Sequence, residues 1–169
     1  VMDAFSGEVV AITSTPGFDP NQFTHGLNAR DWERLLANPL SPMTNKAIAG
    51  QYSPGSTFKM IVCLAALEAG IWHEKKKVDC KGYLDVGDTR FHCWKKYGHG
   101  PIEMNQAIEQ SCDVYLYEIA KRLGIEKIAA MARRFGFGAK SNIELPGERA
   151  GLVPSSNWKK LALGQKWHQ

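Results

Sequence analysis

The feature that most constrains the fold is an apolar helical segment at residues 57–69. It follows the turn-forming pair Pro54-Gly55, and Gly70 stands where the helix should end. Apolar side chains fall on nearly every face of the predicted helix, at Phe58, Ile61, Val62, Leu64, Ala65, Ala66 and Leu67. Because a helix that is hydrophobic all round is buried within a domain, the other elements are predicted to surround this one.

The flanking sequence mixes strand and helix patterns. A β-hairpin is predicted at residues 1–14, and a small β or irregular insertion rich in Cys, Gly and aromatic residues at about 76–100. Helical spacing recurs in three further stretches, at about 29–37, 102–123 and 126–135. Asn28 is a candidate cap of the first stretch, and Gly124 ends the second. These patterns predict an α+β fold of the α/β sandwich type with a mostly helical middle.

The composition is that of one globular domain. With 169 residues and 44% hydrophobic content, the chain can bury a single core but is too short for two full domains. The net charge is only +4, and the lysine clusters at 75–77 and 95–96 are typical of a solvated face. Because the basic residues form only these short clusters, nucleic acid is excluded as the expected partner. The longest apolar run, at 60–67, falls far short of the ~18 residues that span a bilayer.

Ser56 and Lys59 form a Ser-x-x-Lys pattern at the start of the apolar helix. A second match, Ser156 and Lys159, lies in a polar stretch with no buried helix behind it. Ser56 is predicted to occupy the N-cap, so that Lys59 lies one turn later on the same side. The helix therefore brings a hydroxyl and an amine together.

Helix capping alone is the competing interpretation of Ser56. A lysine in the first turn opposes the helix macrodipole at a cost of ~0.3–1 kcal/mol, and a capping box would place Glu or Gln there. A lysine that is unfavourable for stability, beside a hydroxyl, points to chemistry. The helix end and the apolar surroundings disfavour a charged Lys59, so a neutral amine is predicted to take the proton of Ser56. The amide at the same helix end would help to hold an oxyanion.

A second polar element, Ser111-Cys112-Asp113, follows an apolar helical run. Ser and Asp are poor residues in a helix interior, so a break or a helix junction is predicted here. Taken alone, Ser-x-Asp has almost no specificity, and a plain helix with a polar face explains it better. Ser-x-Asp becomes informative only in combination with the Ser-x-x-Lys pattern.

The two polar elements belong to a longer set of motifs. Residues 51–59 read Gln-Tyr-Ser-Pro-Gly-Ser-Thr-Phe-Lys, and Ser111-Cys112-Asp113 follows about fifty residues later. Together they resemble the class B penicillin-binding proteins, and residues 1–11 look like the first hairpin of such a transpeptidase domain. Residues 15–23 and 94–100 are similar to the penicillin-binding protein 2 subfamily of the cell-elongation machinery, which Leu-Pro-Gly-Glu at 145–148 also fits.

The resemblance implies a partial penicillin-binding/β-lactamase-like fold, in which residues 1–169 are the N-terminal portion of one transpeptidase domain. It implies a serine-type D-Ala-D-Ala transpeptidase or carboxypeptidase that cross-links peptidoglycan stem peptides and is acylated by β-lactams. Ser56 would attack the D-Ala-D-Ala carbonyl with Lys59 as its base. Ser111 would relay protons to the leaving group, and Asp113 stands where many relatives have Asn.

The chain departs from the family in one respect, because it contains no Lys-Thr-Gly or Lys-Ser-Gly motif. In the family that strand supplies a second oxyanion amide and the cation for the substrate carboxylate. The chain is therefore expected to be a fragment that ends before the C-terminal strands and is inactive by itself. The resemblance also implies a periplasmic domain of an inner-membrane-anchored bacterial protein, with the anchor outside this chain. A glycan polymerase of the elongation complex is its implied partner, and no organic cofactor is expected.

Cysteine and histidine residues around the insertion suggest a metal site. Cys80 and Cys93 bracket it, His99 follows, and Cys112 lies inside the Ser-x-Asp element. Three thiolates and one imidazole make a closed tetrahedral zinc shell. The spacing alone leaves two other interpretations open: a Cys80–Cys93 disulfide, as a periplasmic location would favour, or His99 as a simple turn residue.

The resemblance favours the metal, because members of the penicillin-binding protein 2 subfamily hold one at matching positions, sometimes with Asp in place of Cys. Asp79 or His92 is a possible substitute ligand. A structural zinc on Cys112 would clamp the insertion to the catalytic backbone and position it rather than activate water. Cys63, in the apolar helix, is predicted to be a small core residue.

Two other functions are left open by the sequence. A serine β-lactamase or a β-lactam sensor shares the fold and the Ser-x-x-Lys pattern; rapid hydrolysis of the acyl-enzyme identifies a lactamase, and persistence a transpeptidase or sensor. The sequence offers no evident deacylating base beyond Lys59, which favours persistence. The second alternative, a non-catalytic zinc-stabilised interaction module, would bind no fluorescent penicillin.

Overall fold

The computed structural model describes residues 1–167. The chain separates into two compact units: the smaller comprises Val1–Tyr52 and Lys140–Ala150, and the larger comprises Ser53–Ala139 and the described part of Gly151–Gln169. None of the described helices has the length and apolar character needed to cross a bilayer. Every predicted site residue belongs to the larger unit.

The smaller unit contains three short helices, α1 (Asn21–Thr24), α2 (Ala29–Leu36) and α3 (Lys46–Ala49). The predicted helix at 29–37 and its cap are confirmed, because the Asn28 side chain accepts a hydrogen bond from the Asp31 backbone amide. The single-turn helices α1 and α3 were not predicted. Each is only four residues long and has no apolar periodicity that a sequence pattern could reveal.

The predicted hairpin at residues 1–14 forms, but without regular strands. Its arms meet at one antiparallel bridge, between Met2 and Val9, and the Asp3 amide donates to the Glu8 carbonyl. Every side chain from Val1 to Thr13 is exposed, so neither face of the pair is buried against anything described. Since a two-stranded ribbon needs packing on one face to be stable, β-rich sequence alone does not make regular strands here.

The larger unit is built around helix α4 (Lys59–Glu68), which a 3₁₀ turn at Gly55–Phe58 introduces. Gly70 ends the helix as predicted, with φ at +65°. The buried side of the helix carries Ile61, Val62, Cys63, Ala65 and Ala66. The prediction of burial on every face is wrong, because the opposite face is not covered by any described element. That face carries Met60 at 53% exposure, Leu64 at 41% and Leu67 at 40%.

Helix α4 packs against α6 (Asp113–Leu123) and α7 (Ile125–Arg134), while α5 (Met104–Glu109) contacts α4 and α6. The predicted helical stretch 102–123 is thus two helices, and the predicted break falls at residues 110–112. Gly124, with φ at +79°, separates α6 from α7 as expected. The shared core includes buried side chains from all four helices, among them Tyr115, Ile119 and Ala132.

The predicted insertion is confirmed as two small antiparallel ribbons. Strand β1 (Val78–Cys80) pairs with β4 (Gly100–Ile102), and β2 (Tyr83–Val86) pairs with β3 (Thr89–His92). The loop between β3 and β4 folds tightly back on the end of β1. A Cβ atom at Gly98 would lie 1.9 Å from the Cys80 carbonyl oxygen, so only glycine allows this approach.

Helix α8 (Ser156–Leu163) was not predicted from the sequence, which indicated only a polar stretch with no buried helix; none of its residues is buried. Its signals were nevertheless present in the sequence. The Ser155 hydroxyl accepts a hydrogen bond from the Trp158 amide, and Gly164 closes the helix in the left-handed conformation.

Replacing Tyr115 by phenylalanine is expected to destabilise the larger unit by about 1–3 kcal/mol. Its fully buried hydroxyl accepts from Trp72 Nε1 at 3.0 Å and donates to the Lys76 carbonyl at 2.8 Å, so its removal leaves two partners unpaired. Urea denaturation of the intact gene product measures the loss. Tyr117→Phe is the matched control, because that hydroxyl makes only a 3.5 Å contact. Equal stability of the two variants would contradict the assignment.

Candidate active site

Ser56 and Lys59 lie at the junction between the 3₁₀ turn and α4. Ser56 is not an N-cap, as was predicted, but the second residue of the turn, which Pro54 introduces and Gly55 (φ +56°) tightens. Because the chain enters the helix through this turn, the helix start moves to Lys59. Side chains three residues apart in a 3₁₀ helix lie one above the other, so the two groups still share one side.

Ser111 bridges the hydroxyl and the amine. Its Oγ donates a hydrogen bond to Ser56 Oγ at 2.7 Å and accepts one from Lys59 Nζ at 2.9 Å. Among residues 1–167 no hydrogen bond joins Ser56 Oγ directly to Lys59 Nζ. The predicted pairing of Ser56 with Lys59 is therefore real but indirect, and it runs through the second serine.

Lys59 is held by the segment that carries Ser111 and Asp113. Its Nζ lies 2.7 Å from the Ser111 carbonyl oxygen, 2.9 Å from Ser111 Oγ and 2.6 Å from Asp113 Oδ1. The Asp113 carboxylate, which the sequence-based prediction did not consider, therefore lies within ion-pair distance of Lys59.

Ser111 owes its position to the break between α5 and α6. Its backbone has φ at +53°, a left-handed conformation that is strained for a side-chain-bearing residue. The Ser111 amide bonds to the Ile108 carbonyl and the Cys112 amide to the Ala107 carbonyl, which anchors the break to α5. Both oxygens of Ser111 thereby face Lys59, and strain of this kind is typical of functional sites.

The structure brings Cys80, Cys93, His99 and Cys112 together. One ligand atom from each lies within 4.8 Å of all the others, and the three cysteines are buried. Cys93 Sγ lies 3.7 Å from His99 Nδ1. None of the four cysteines in the described chain forms a disulfide, so the Cys80–Cys93 bridge is absent. The suggested substitutes, Asp79 and His92, do not belong to this cluster.

The cluster fits a tetrahedral zinc ion. Ligand atoms around such an ion are separated by about 3.5–3.8 Å, so the widest pair here would close by about 1 Å on binding. His99 Nε2 is buried and has no hydrogen-bond partner within residues 1–167. Burial raises the pKa of the Cys112 thiol to about 12. Burial also opposes ionisation of Cys93, but backbone amides that donate to its sulfur outweigh this and lower the pKa of that thiol.

The metal-ligand cluster and the Ser56 site share one segment of chain. Cys112 lies between Ser111 and Asp113, and the Trp94 amide, next to Cys93, donates to Asp113 Oδ2 at 3.0 Å. Asp113 therefore holds Lys59 with one oxygen and the insertion with the other. Trp94 was identified from the sequence only as part of the 94–100 segment, because nothing in its spacing connects it to Ser111 or Asp113.

A serine hydroxyl is thus joined to a lysine amine through a second serine at the start of α4. The sequence pattern described as "Penicillin binding protein transpeptidase domain" matches residues 1–167. The chain belongs to the penicillin-binding protein transpeptidase family, and its fold matches structures of that family.

Within the family, the chain is similar to penicillin-binding protein 2. It is 39% identical over 168 residues to the peptidoglycan D,D-transpeptidase MrdA of Acinetobacter baumannii, covering 98% of this chain and 25% of that protein. Penicillin-binding protein 2 of Helicobacter pylori, solved in complex with MreC, matches with a TM-score of 0.91 at 35% identity, over 99% of this chain and 31% of that one.

A third similarity concerns an acylated relative. Penicillin-binding protein A of Mycobacterium tuberculosis, solved as a penicillin G acyl-enzyme complex, matches with a TM-score of 0.74 at 29% identity, over 95% of this chain and 39% of that one. The chain spans about a quarter of the length of the curated relatives it matches.

Proposed function

We propose that the protein containing this chain is a peptidoglycan D,D-transpeptidase of cell-wall elongation, with Ser56 as its acylated nucleophile. The hydrogen-bonded series Ser56–Ser111–Lys59 at the start of α4 carries this proposal. It supplies a nucleophile, a proton path and a base within one junction of the chain. Similarity to a named D,D-transpeptidase over 98% of the chain favours this function over a β-lactamase or a non-catalytic module.

In the acylation step, Ser56 Oγ attacks the carbonyl carbon of the penultimate D-Ala and the bond to the terminal D-Ala nitrogen breaks. Hydroxyl hydrogens rotate freely, so Ser56 can donate to Ser111 while Ser111 donates to Lys59. The proton travels this path and returns through Ser111 to the departing amine. Lys59 receives this proton as a neutral amine, and Asp113 Oδ1, 2.6 Å away, pairs with the ammonium that forms.

The acyl-enzyme ester is then open to an amine from a second stem peptide. That amine attacks the ester carbonyl, loses its proton to Lys59, and releases the Ser56 hydroxyl with the cross-link formed. The 169 residues contain no Lys-Thr-Gly motif to supply a second oxyanion amide and a cation for the substrate carboxylate. Catalysis is therefore assigned to the intact gene product rather than to these residues alone.

We further propose a structural zinc on Cys80, Cys93, His99 and Cys112. The three buried thiols and the 3.7 Å approach of His99 Nδ1 to Cys93 Sγ support it. A bound zinc would hold thiolates and imidazole in fixed positions. Cys112 would then fix the backbone between Ser111 and Asp113, and Cys93 would fix the amide of Trp94 that donates to Asp113.

We base the proposed ligands, partner and location of the protein on its family. Peptidoglycan stem peptides and β-lactams are its proposed ligands, and a glycan polymerase of the elongation complex is its proposed partner. We place this domain in the periplasm, on a protein held in the inner membrane by a segment outside these residues. The MreC complex of the H. pylori relative is consistent with an elongation role.

The function is tested with the intact gene product, a stem pentapeptide ending in D-Ala-D-Ala and a stem peptide that offers an amine. Mass spectrometry is expected to detect released D-alanine and a cross-linked peptide. Ser56→Ala should form neither, while Ser156→Ala, at the second Ser-x-x-Lys match, should form both. D-alanine release that survives Ser56→Ala would contradict the proposal.

A further inference from the structure

Trp94 is joined by hydrogen bonds to residues on both sides of Ser111. Its indole Nε1 donates to the Gln110 carbonyl at 3.0 Å, and its backbone amide donates to Asp113 Oδ2 at 3.0 Å. Gln110 immediately precedes Ser111, and Asp113 follows Ser111 by two positions. One residue of the β3–β4 loop therefore holds both ends of the segment that carries Ser111.

The Gln110 carbonyl is one of the groups that a helix end leaves without an intrahelical partner. Gln110 is the C-cap of α5, so this helix has no further amide to donate to it. The indole N–H supplies a donor, although 66% of the Trp94 side chain is exposed. Because little burial holds the indole, its position depends on this hydrogen bond and on the His99 ring, which packs edge-on with centroids 5.5 Å apart.

The conformation of Ser111 depends on where the Gln110 carbonyl group is held. The Ser111 φ angle describes rotation about its N–Cα bond, and the carbonyl carbon of Gln110 is one of the four atoms that define it. At +53° this angle lies in the left-handed region, which a residue with a side chain keeps only where the surrounding structure enforces it. Since both sides of Ser111 are held, a rotation that would carry its Oγ away from Ser56 is opposed.

The position of Ser111 Oγ is critical because the proton path has two short contacts there. Ser111 Oγ lies 2.7 Å from Ser56 Oγ and 2.9 Å from Lys59 Nζ, so a displacement of about 1 Å would break either hydrogen bond. Proton transfer through Ser111 requires both, and neither involves Trp94. An effect of Trp94 on this path is therefore exerted through the backbone of Ser111.

We propose that Trp94 is a positioning residue, whose indole N–H holds Ser111 in the conformation that links Ser56 to Lys59. This inference rests on the proposed acyl transfer to Ser56. The role belongs to the N–H group and not to the apolar surface of the ring. It affects all acyl donors alike, because the proton path is the same for each.

Two tryptophan analogues at position 94 isolate the N–H group. In the intact gene product, stop-codon suppression places there either β-(3-benzothienyl)alanine, which has sulfur instead of the indole N–H, or 7-azatryptophan, which keeps the N–H. The benzothienyl variant is expected to react with benzylpenicillin about three- to tenfold more slowly, the scale of one lost hydrogen bond. The azatryptophan variant should react within about twofold of the wild-type rate. Active-site titration counts the reactive chains, so that the rate constant refers to folded protein in every variant.

Two controls accompany this comparison. The same benzothienyl replacement of Trp32 should leave the rate unchanged, because the Trp32 indole belongs to the smaller unit and makes no hydrogen bond within residues 1–167. The second control is 6-aminopenicillanic acid, which lacks the aromatic side chain of benzylpenicillin. The benzothienyl variant at position 94 should react more slowly with both penicillins by the same factor, because both depend on Ser111.

The outcomes separate the two levels of the proposal. A benzothienyl variant within about twofold of wild type, equal slowing by the two analogues, or unequal slowing of the two penicillins would overturn the role of the indole N–H. Each of these results leaves acylation of Ser56 intact. Failure of the wild type to react with either penicillin would overturn the proposed function, and this inference with it.

Discussion

Replacing Lys59 by alanine is expected to slow acylation of Ser56 by benzylpenicillin about 10²–10⁴-fold in the intact gene product, the range of a general base. Lys59 Nζ is the only amine bonded to Ser111 Oγ in the described chain, and Ser111 Oγ contacts the nucleophile. Without Lys59 the Ser56 proton has no basic acceptor at the end of this path. Stopped-flow kinetics with a fluorescent penicillin measures the rate constant.

Two further variants isolate the base from the ion pair. Lys59→Arg keeps a cation for Asp113 but cannot be deprotonated, so it should be about as slow as Lys59→Ala while retaining the fold. Lys159→Ala, in the second Ser-x-x-Lys match, should react at the wild-type rate. Acylation of Lys59→Arg within tenfold of wild type would remove Lys59 from the proton path.

Loss of the Cys112 thiol is expected to release the zinc and destabilise the fold. Wild type purified without chelator should contain one zinc per chain by elemental analysis, and Cys112→Ala close to none. The variant should also lose about 3 kcal/mol or more of stability, because the buried Cys80 and Cys93 and the half-buried His99 are left without the proposed ion. This corresponds to a fall in Tm of roughly 6–12 °C.

Cys63→Ala provides the control for the loss of buried sulfur. Cys63 is 2% exposed and Cys112 0%, so both substitutions open a similar small cavity, but only Cys112 belongs to the ligand cluster. Cys63→Ala should retain its zinc and most of its stability. Equal zinc content and equal Tm in the two variants would contradict a structural zinc at this site.

The sequence predicted the helices and the β insertion well because each carries a local signal. Asn28 caps α2, Gly70 ends α4 and Gly124 ends α6, and these residues act through the backbone next to them. The hairpin at residues 1–14 lacks regular strands because these depend on packing that the local sequence does not encode. Burial of α4 on every face was predicted wrongly for a related reason, since an apolar sequence pattern does not show which element packs against each face of a helix.

In the candidate site too, some features follow from local spacing in the sequence, and others depend on contacts between distant segments. Ser56 and Lys59 were identifiable because three residues of spacing place them on one side of a helical turn. Their link through Ser111, the pairing of Lys59 with Asp113 and the position of Trp94 depend on contacts between segments about 20–55 residues apart, which periodicity does not reveal. Family resemblance supplied Ser111, Asp113 and the segment that begins with Trp94, but not the hydrogen bonds that join Trp94 to Gln110 and Asp113.

Acylation of the Ser56 hydroxyl is the central claim, and peptide mapping tests it most directly. Trypsin releases residues 47–59 of the benzylpenicillin-treated intact gene product as one peptide, since Lys46 and Lys59 flank it. The account predicts that this peptide gains the mass of one whole penicillin, and that fragmentation places it on Ser56 rather than on Ser53 or Thr57. An adduct on any other residue, or an unmodified peptide, would contradict it.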